Sequence, residues 1–104
     1  MKRLRFAPQA LADLASIEDH SRERWGNEQA RAYLETIKLR LDRIATRPAI
    51  GVACDDVLAG LRRASVGSHM IFYDEGDNAI VVNRILHQRM DYRSHLRGLP
   101  ETDS

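Results

Sequence analysis

The chain has little cysteine, no long apolar run and almost no net charge, and each absence excludes something. Cys54 is the only cysteine among 104 residues, so an intramolecular disulfide and a thiolate zinc site are both ruled out. It reads as a small apolar filler in a reducing compartment. No stretch approaches the roughly 20 apolar residues that cross a bilayer, and Met1 to Pro8 lacks the apolar segment of a secretory signal, so a cytoplasmic location is expected. With 16 Lys+Arg against 15 Asp+Glu the net charge is +1, which gives no global field to attract nucleic acid. The sequence has no Gly-rich phosphate loop, no His-Glu-x-x-His, no Ser or Cys nucleophile with a base, and no uniformly basic helix face. Neither a cofactor nor a metal is therefore expected.

What is present describes one small domain. At 43% hydrophobic and 30% charged the composition is that of a compact globular chain, which at this length buries only about two thirds of its unfolded surface. One domain over 1–98 and a flexible tail over 99–104 are expected. Of the 16 basic residues only Lys2 and Lys38 are lysine. Arginine suits bidentate recognition of carboxylate or phosphate, and genomic composition bias leaves the same signature.

Residues 2 to 6 alternate Lys2, Leu4 and Phe6 with Arg3 and Arg5, the period of a short edge strand. Pro8 stops it and fits the first turn of a helix, whose stripe Ala10, Leu14, Ile17, Ser21 and Trp25, flanked by Leu11, faces a core until Gly26. Asn27 is expected to cap a second helix that carries Ala30, Tyr33, Leu34, Ile37, Leu41, Ile44 and Ala45 inward and ends at Arg47-Pro48. So short a connection predicts an antiparallel hairpin. Residues 48 to 60 read as a loop containing Asp55 and Asp56. Three strands follow, over 61–66, 69–73 and 79–87, joined by Gly67-Ser68 and by Glu75 to Asn78. A last turn of helix is expected over Asp91 to Leu96, with Asp91 as its cap.

The predicted class is α+β in the order β-α-α-β-β-β plus a short C-terminal helix: an N-terminal strand, a helical hairpin and a three-stranded antiparallel meander. The helices pack on one sheet face and leave the other as an open surface where function would sit.

That order and several strings resemble the toxins of the ParE/RelE superfamily, in particular the ParE branch. The carriers are Phe6 to Ala10 with Asp13-Leu14 and Ile17, Ala30-Arg31-Ala32-Tyr33, Pro48, Gly51, Gly60-Leu61-Arg62, Phe72-Tyr73 and the segment Arg84 to Asp91. The resemblance spans about residues 3 to 93. It implies a type II toxin that is not an enzyme, binds DNA gyrase, blocks replication and is neutralised by a ParD-like antitoxin, usually in a heterotetramer. Nucleic acid would enter only through the antitoxin or the gyrase–DNA complex. RelE-type relatives on the same fold instead cut mRNA in the ribosome, and fold alone does not separate the two.

The ribonuclease alternative needs basic groups and a Tyr or His to activate a 2′-hydroxyl and stabilise a phosphorane; Arg62, Arg63, Arg84, Arg89, His69, His87 and Tyr92 are the candidates. Against it, Asp55 and Asp56 stand where ribonuclease members have lysines, and carboxylates repel RNA phosphate. For the gyrase reading the expected target contacts are Arg84, His87, Arg89, Asp91 and Tyr92. Arg62, Arg63, Leu39, Arg31 and Glu35 are assigned to the antitoxin. Arg62 and Arg63 are adjacent in a strand and must point to opposite faces, one toward a partner carboxylate and the other toward a loop or helix end. Arg84 lies among Val82 and Leu86, where a structural ion pair competes with a functional role. His87, Asp91 and His95 have metal-like spacing only on a continuous helix, which His87 at a strand end interrupts. His87 is expected to make one hydrogen bond there. Trp25 and Tyr33 are expected to be packing aromatics, and Leu39 an exposed apolar anchor.

Overall fold

The structure, a computed structural model, describes residues 1–96. The expected tail over 99–104, with residues 97 and 98 of the expected domain, lies outside the described residues.

Leu4 and Phe6 alternate with Arg3 and Arg5 to form β1 (Arg3–Phe6), and Pro8 opens α1 (Pro8–Trp25). Gly26, at φ 91°, is both the C-cap of α1 and the N-cap of α2 (Asn27–Thr46). Its N–H donates to the Arg22 carbonyl at 2.9 Å, and its carbonyl accepts the Ala30 amide at 3.1 Å. A residue with a Cβ is strained at that φ, so a single glycine turns one helix into the next. Asn27, expected as a cap, is instead the first residue of α2 and makes no capping side-chain bond.

Beyond Thr46 the expected loop is only partly irregular. It holds a 3-10 turn (Pro48–Ile50) and a two-residue strand β2 (Val52–Ala53), pairing with Arg63 and Arg62. Then come β3 (Leu61–Val66), β4 (His69–Glu75), β5 (Ala79–His87) and α3 (Tyr92–His95). The strand expected over 69–73 is two residues longer, because Asp74 and Glu75 stay paired with Val81 and Ile80. The sheet order is β1-β5-β4-β3-β2, with β1 parallel to β5 and the other pairs antiparallel.

The two long helices cover one sheet face. Ala10 and Ile17 of α1 and Ile37, Leu41 and Ile44 of α2 pack on Ala64, Val66, Ile71, Tyr73, Ile80, Val82 and Ile85. Each fully buried isoleucine here stabilises by about 1.5–3 kcal/mol relative to exposure. Trp25 departs from the expected stripe: it is 49% exposed, its ring edge-on to Tyr33 with centroids 6.4 Å apart. It sits on the last residue of α1, beyond the last buried side chain of the stripe, Ser21.

The reverse face is not the open surface expected. Leu61, Phe72 and Leu86 point that way and are buried with Cys54 under Leu96, with Val57, Leu58, Met70 and Tyr92 packed around them. Three large apolar side chains require cover, and the β2–β3 connection and α3 supply it. Burial pushes the Cys54 thiol above its ordinary value, against an opposing pull from Arg63, as befits an inert filler.

A bulge in β5 also corrects the expected placement of Arg84. Phe72 pairs with Arg84 while Tyr73 pairs with Val82, so Asn83 is the extra residue. Val82 consequently joins the helix-side core and Leu86 the reverse-side core, rather than sharing a face.

Candidate functional site

β1 runs beside β5 only as far as Phe6, which pairs with Val82; beyond that point β5 has a bare edge. Asp13, on the second turn of α1, fills it. Its Oδ2 accepts the Ile85 amide at 2.9 Å and the Arg84 Nε at 2.8 Å, and its Oδ1 accepts Arg84 Nη2 at 3.0 Å. The pair is mostly buried, with side chains 16% and 13% exposed. The hydrogen-bonded carboxylate raises the Arg84 pKa further above its already high value. Arg84 is thus held by an ion pair that joins α1 to the sheet, one of the two roles the sequence leaves open.

Next to this pair lies a groove of about 730 Å³ between α1 and the end of β5. Arg84, His87 and Arg89 line it, and the structure adds His20, Arg24 and His69, which sequence reasoning does not assign to any target contact. His87 Nδ1 accepts the Arg89 amide at 3.1 Å, the single hydrogen bond expected of it. The His69 ring meets that of His87 at 5.2 Å, and its Nδ1 is 2.6 Å from the Tyr33 hydroxyl. Burial, then the nearby His87 and His20, lower the His69 pKa, with Asp13 opposing. Tyr33 also accepts the Ser68 amide at 3.1 Å, so this half-buried aromatic clamps the β3–β4 turn as well as packing.

Asp91 and Tyr92 belong to a different patch. Tyr92 lies against Phe72, with centroids 5.3 Å apart, and the guanidinium carbons of Arg63 and Arg93 stand 5.5 and 5.4 Å from its ring. Arg63 Nη1 also reaches the Tyr92 hydroxyl at 3.4 Å. Arg93 pairs with Asp56 at 2.6 Å, which holds that exposed carboxylate below its usual value. Asp91 occupies the N-cap position as expected, but its Oδ2 accepts the Ser94 hydroxyl at 2.7 Å rather than a backbone amide. Asp55 closes its own loop by accepting the Gly60 amide at 2.9 Å.

Arg62 turns to the helix side and donates to the Gly51 carbonyl at 2.8 Å, while Arg63 lies on the reverse face. The two arginines do point apart, and Arg62 is the one that grips a loop. Leu39, 58% exposed, lines a second groove of about 910 Å³ with Arg40, Arg43, Arg47, Ile50 and Val66. Arg31 and Glu35 are exposed on earlier turns of α2 and do not line it.

Two helices on one face of a five-stranded sheet, with a short C-terminal helix, make the α+β arrangement expected of the toxin class that the sequence resembles. Comparison with known proteins agrees. The family model described as the ParE toxin of the type II toxin-antitoxin system parDE matches residues 4–92. Toxin ParE1 of Mycobacterium tuberculosis is 45% identical over 92 residues, covering 88% of this chain and 94% of that one. Toxin ParE1 of Caulobacter vibrioides is 40% identical over 96 residues, covering 92% and 99%. A chain of the chromosomal ParDE TA system from P. aeruginosa shares the fold at a TM-score of 0.72 and 21% identity, over 84% of this chain and 96% of that one. The chain belongs to the ParE toxin family.

The residues that sequence reasoning missed share a cause. His20 and Arg24 are one helical turn apart on α1 and meet His69 and His87 only because the helix lies along β5. The i, i+4 spacing of His20 and Arg24, next to the buried Ser21, is the only local signal they leave.

Proposed function

We infer that this chain is a non-enzymatic toxin that arrests growth in the cytoplasm by binding DNA gyrase and is neutralised by a ParD-like antitoxin. The supporting observation is the separation of Arg62, Arg63 and Arg84, three of the four arginine candidates for ribonuclease chemistry; of these candidates only Arg89 shares a groove with Arg84. A ribonuclease must aim several cationic groups at one phosphorane. Here Arg62 holds the Gly51 carbonyl, Arg63 stacks on Tyr92 and Arg84 is bound by Asp13, three separate places. Asp55 and Asp56 border the reverse face, where a phosphate would need a positive field. Membership of the ParE family supports the same reading.

Target contact is assigned to the end of β5 and the segment after it, with His87 and Arg89 as direct contacts, Arg84 positioned by Asp13, and Asp91 and Tyr92 presented by α3. The antitoxin is assigned to the outer surface of α2. There the exposed Leu39 and three arginines suit an amphipathic helix with acidic residues on one side. Arg31 and Glu35 extend that surface and Arg62, held on the Gly51 carbonyl, borders it from the sheet; Arg63 lies on the reverse face against Tyr92, away from it.

Purified toxin added to gyrase and relaxed plasmid tests the proposal. Supercoiling should stop at stoichiometric toxin and return when the antitoxin is added. Unchanged supercoiling together with codon-positioned transcript breaks after induction would assign the chain to ribosome-dependent cleavage instead.

A further inference from the structure

The groove between α1 and the end of β5 collects charge that the sequence disperses. All four histidines of the chain, His20, His69, His87 and His95, line it, together with Arg24, Arg84 and Arg89. The one carboxylate in the lining is Asp13, already committed to Arg84 and to the Ile85 amide. Even with every histidine neutral, the groove has a surplus of two positive charges in a chain whose total is +1.

We propose that this groove binds the phosphodiester backbone of DNA, with Arg24 on the α1 wall and Arg89 on the opposite wall as the direct phosphate contacts. Both are exposed arginines, and among the described residues neither has an ion-pair partner. Exposed arginine is the usual donor to phosphate oxygen, and the hydroxyls of Ser16 and Ser68 add short donors to the lining. Trp25, half exposed at the groove with the Arg24 guanidinium 5.9 Å from its ring centroid, offers the rest of its aromatic surface to a base or sugar beside that arginine, which favours nucleic acid over an acidic peptide. Arg84 acts as a positioning residue that neutralises Asp13.

His69 tunes the site. His69 is faced by Tyr33 from α2, by His20 and Asp13 from α1 and by His87 from β5. Protonation of His69 is disfavoured by its burial and by the neighbouring imidazoles, and a phosphate bound beside it opposes that penalty. Binding should therefore strengthen as pH falls from 8 to 6. This proposal goes beyond the gyrase reading, and its measurement needs no gyrase.

The test is fluorescence anisotropy of a labelled DNA duplex titrated with the full chain. With two phosphate contacts, the slope of log K against log salt should be about −2, so raising salt from about 50 to about 200 mM weakens binding about tenfold. The double variant Arg24→Gln with Arg89→Gln should lose about tenfold in affinity and flatten the slope. The control, Arg3→Gln with Arg5→Gln, removes equal charge from exposed positions on β1 and should stay within about twofold. Equal losses in the two variants would overturn the proposal as generic charge attraction. So would a poly-glutamate peptide of equal charge binding as tightly as the duplex, which would make the groove a carboxylate site.

Discussion

Replacing Asp13 by alanine removes three bonds at once and is the sharpest test of how the sheet edge is sealed. Arg84 would lose both carboxylate contacts while its side chain stays 16% exposed, and the Ile85 amide would lose its acceptor. Breaking one partner out of a buried pair costs about 3–5 kcal/mol; the lower end applies here because the pair lines a groove that water reaches. The orphaned amide adds about 1 kcal/mol, for a total of about 4 kcal/mol, a large share of the roughly 5–15 kcal/mol that a domain of this size has. Arg84→Ala is milder. The carboxylate then keeps the Ile85 amide as a donor, so the expected loss is about 2–3 kcal/mol. Urea unfolding of both single variants and the double variant reads these values directly, and the double should be less destabilised than the sum by about 2 kcal/mol. If Arg84→Ala proves the more harmful single change, or the two effects simply add, Asp13 is not the acceptor shared by the guanidinium and the strand edge.

Other consequences are equally specific. Asp74 is buried, its Oδ1 has no hydrogen-bond partner among the described residues, and burial raises its pKa while Asn83 partly offsets the shift through a 2.6 Å bond to Oδ2. The folded state therefore holds that proton more tightly than the unfolded chain. Its contribution to stability is greatest below the ordinary carboxylate pKa and is lost as pH rises through the raised value. Urea unfolding between pH 4 and 8 should show this fall in the wild type relative to Asp74→Asn, and a constant difference would contradict it. His69 has the opposite sign: with a lowered folded pKa, its contribution is present above about pH 6.5 and is lost as pH falls through the folded value, so His69→Gln should flatten acid unfolding below pH 6.5. At Gly51 an added Cβ would lie 2.2 Å from the Tyr73 hydroxyl, which accepts the Gly51 amide at 2.9 Å and donates to the Pro48 carbonyl at 2.5 Å. Gly51→Ala should cost about 1–3 kcal/mol in thermal or urea unfolding, and a neutral result would mean that Tyr73 can move aside. Leu39→Asp should leave folding intact but weaken antitoxin binding at least tenfold in calorimetry, and unaltered affinity would move the antitoxin off the α2 groove.

The parts of this architecture that repeat along the chain were the legible ones. α2 buries Ala30, Ile37, Leu41, Ile44 and Ala45 of its predicted stripe and half-buries Tyr33 and Leu34, because seven apolar positions at helical spacing favour that face inward. β3 and β5 begin and end where glycine and polar turn residues bound runs of apolar and β-branched residues. What stayed hidden depends on single residues or on distant ones. β2 is two residues long and exists only through pairing with Arg62 and Arg63. The bulge at Asn83 shifts the alternation of β5 by one place, which put Val82 and Leu86 on opposite sides. The reverse face looked open because its cover, Val57, Leu58 and Leu96, comes from segments without periodicity. Of the residues expected to contact a target, Arg84, His87 and Arg89 converge on one groove, while Asp91 and Tyr92 do not line it. His20 and Arg24 were invisible there because their neighbours lie more than 40 residues away in sequence.

The central claim, that the chain acts on gyrase by binding rather than by cutting RNA, is tested most directly by incubating purified toxin with gyrase, ATP and supercoiled plasmid, then adding detergent and protease. Linear plasmid should accumulate in proportion to toxin and disappear when antitoxin is present. Plasmid that is never linearised, at any excess of active toxin, would contradict the account.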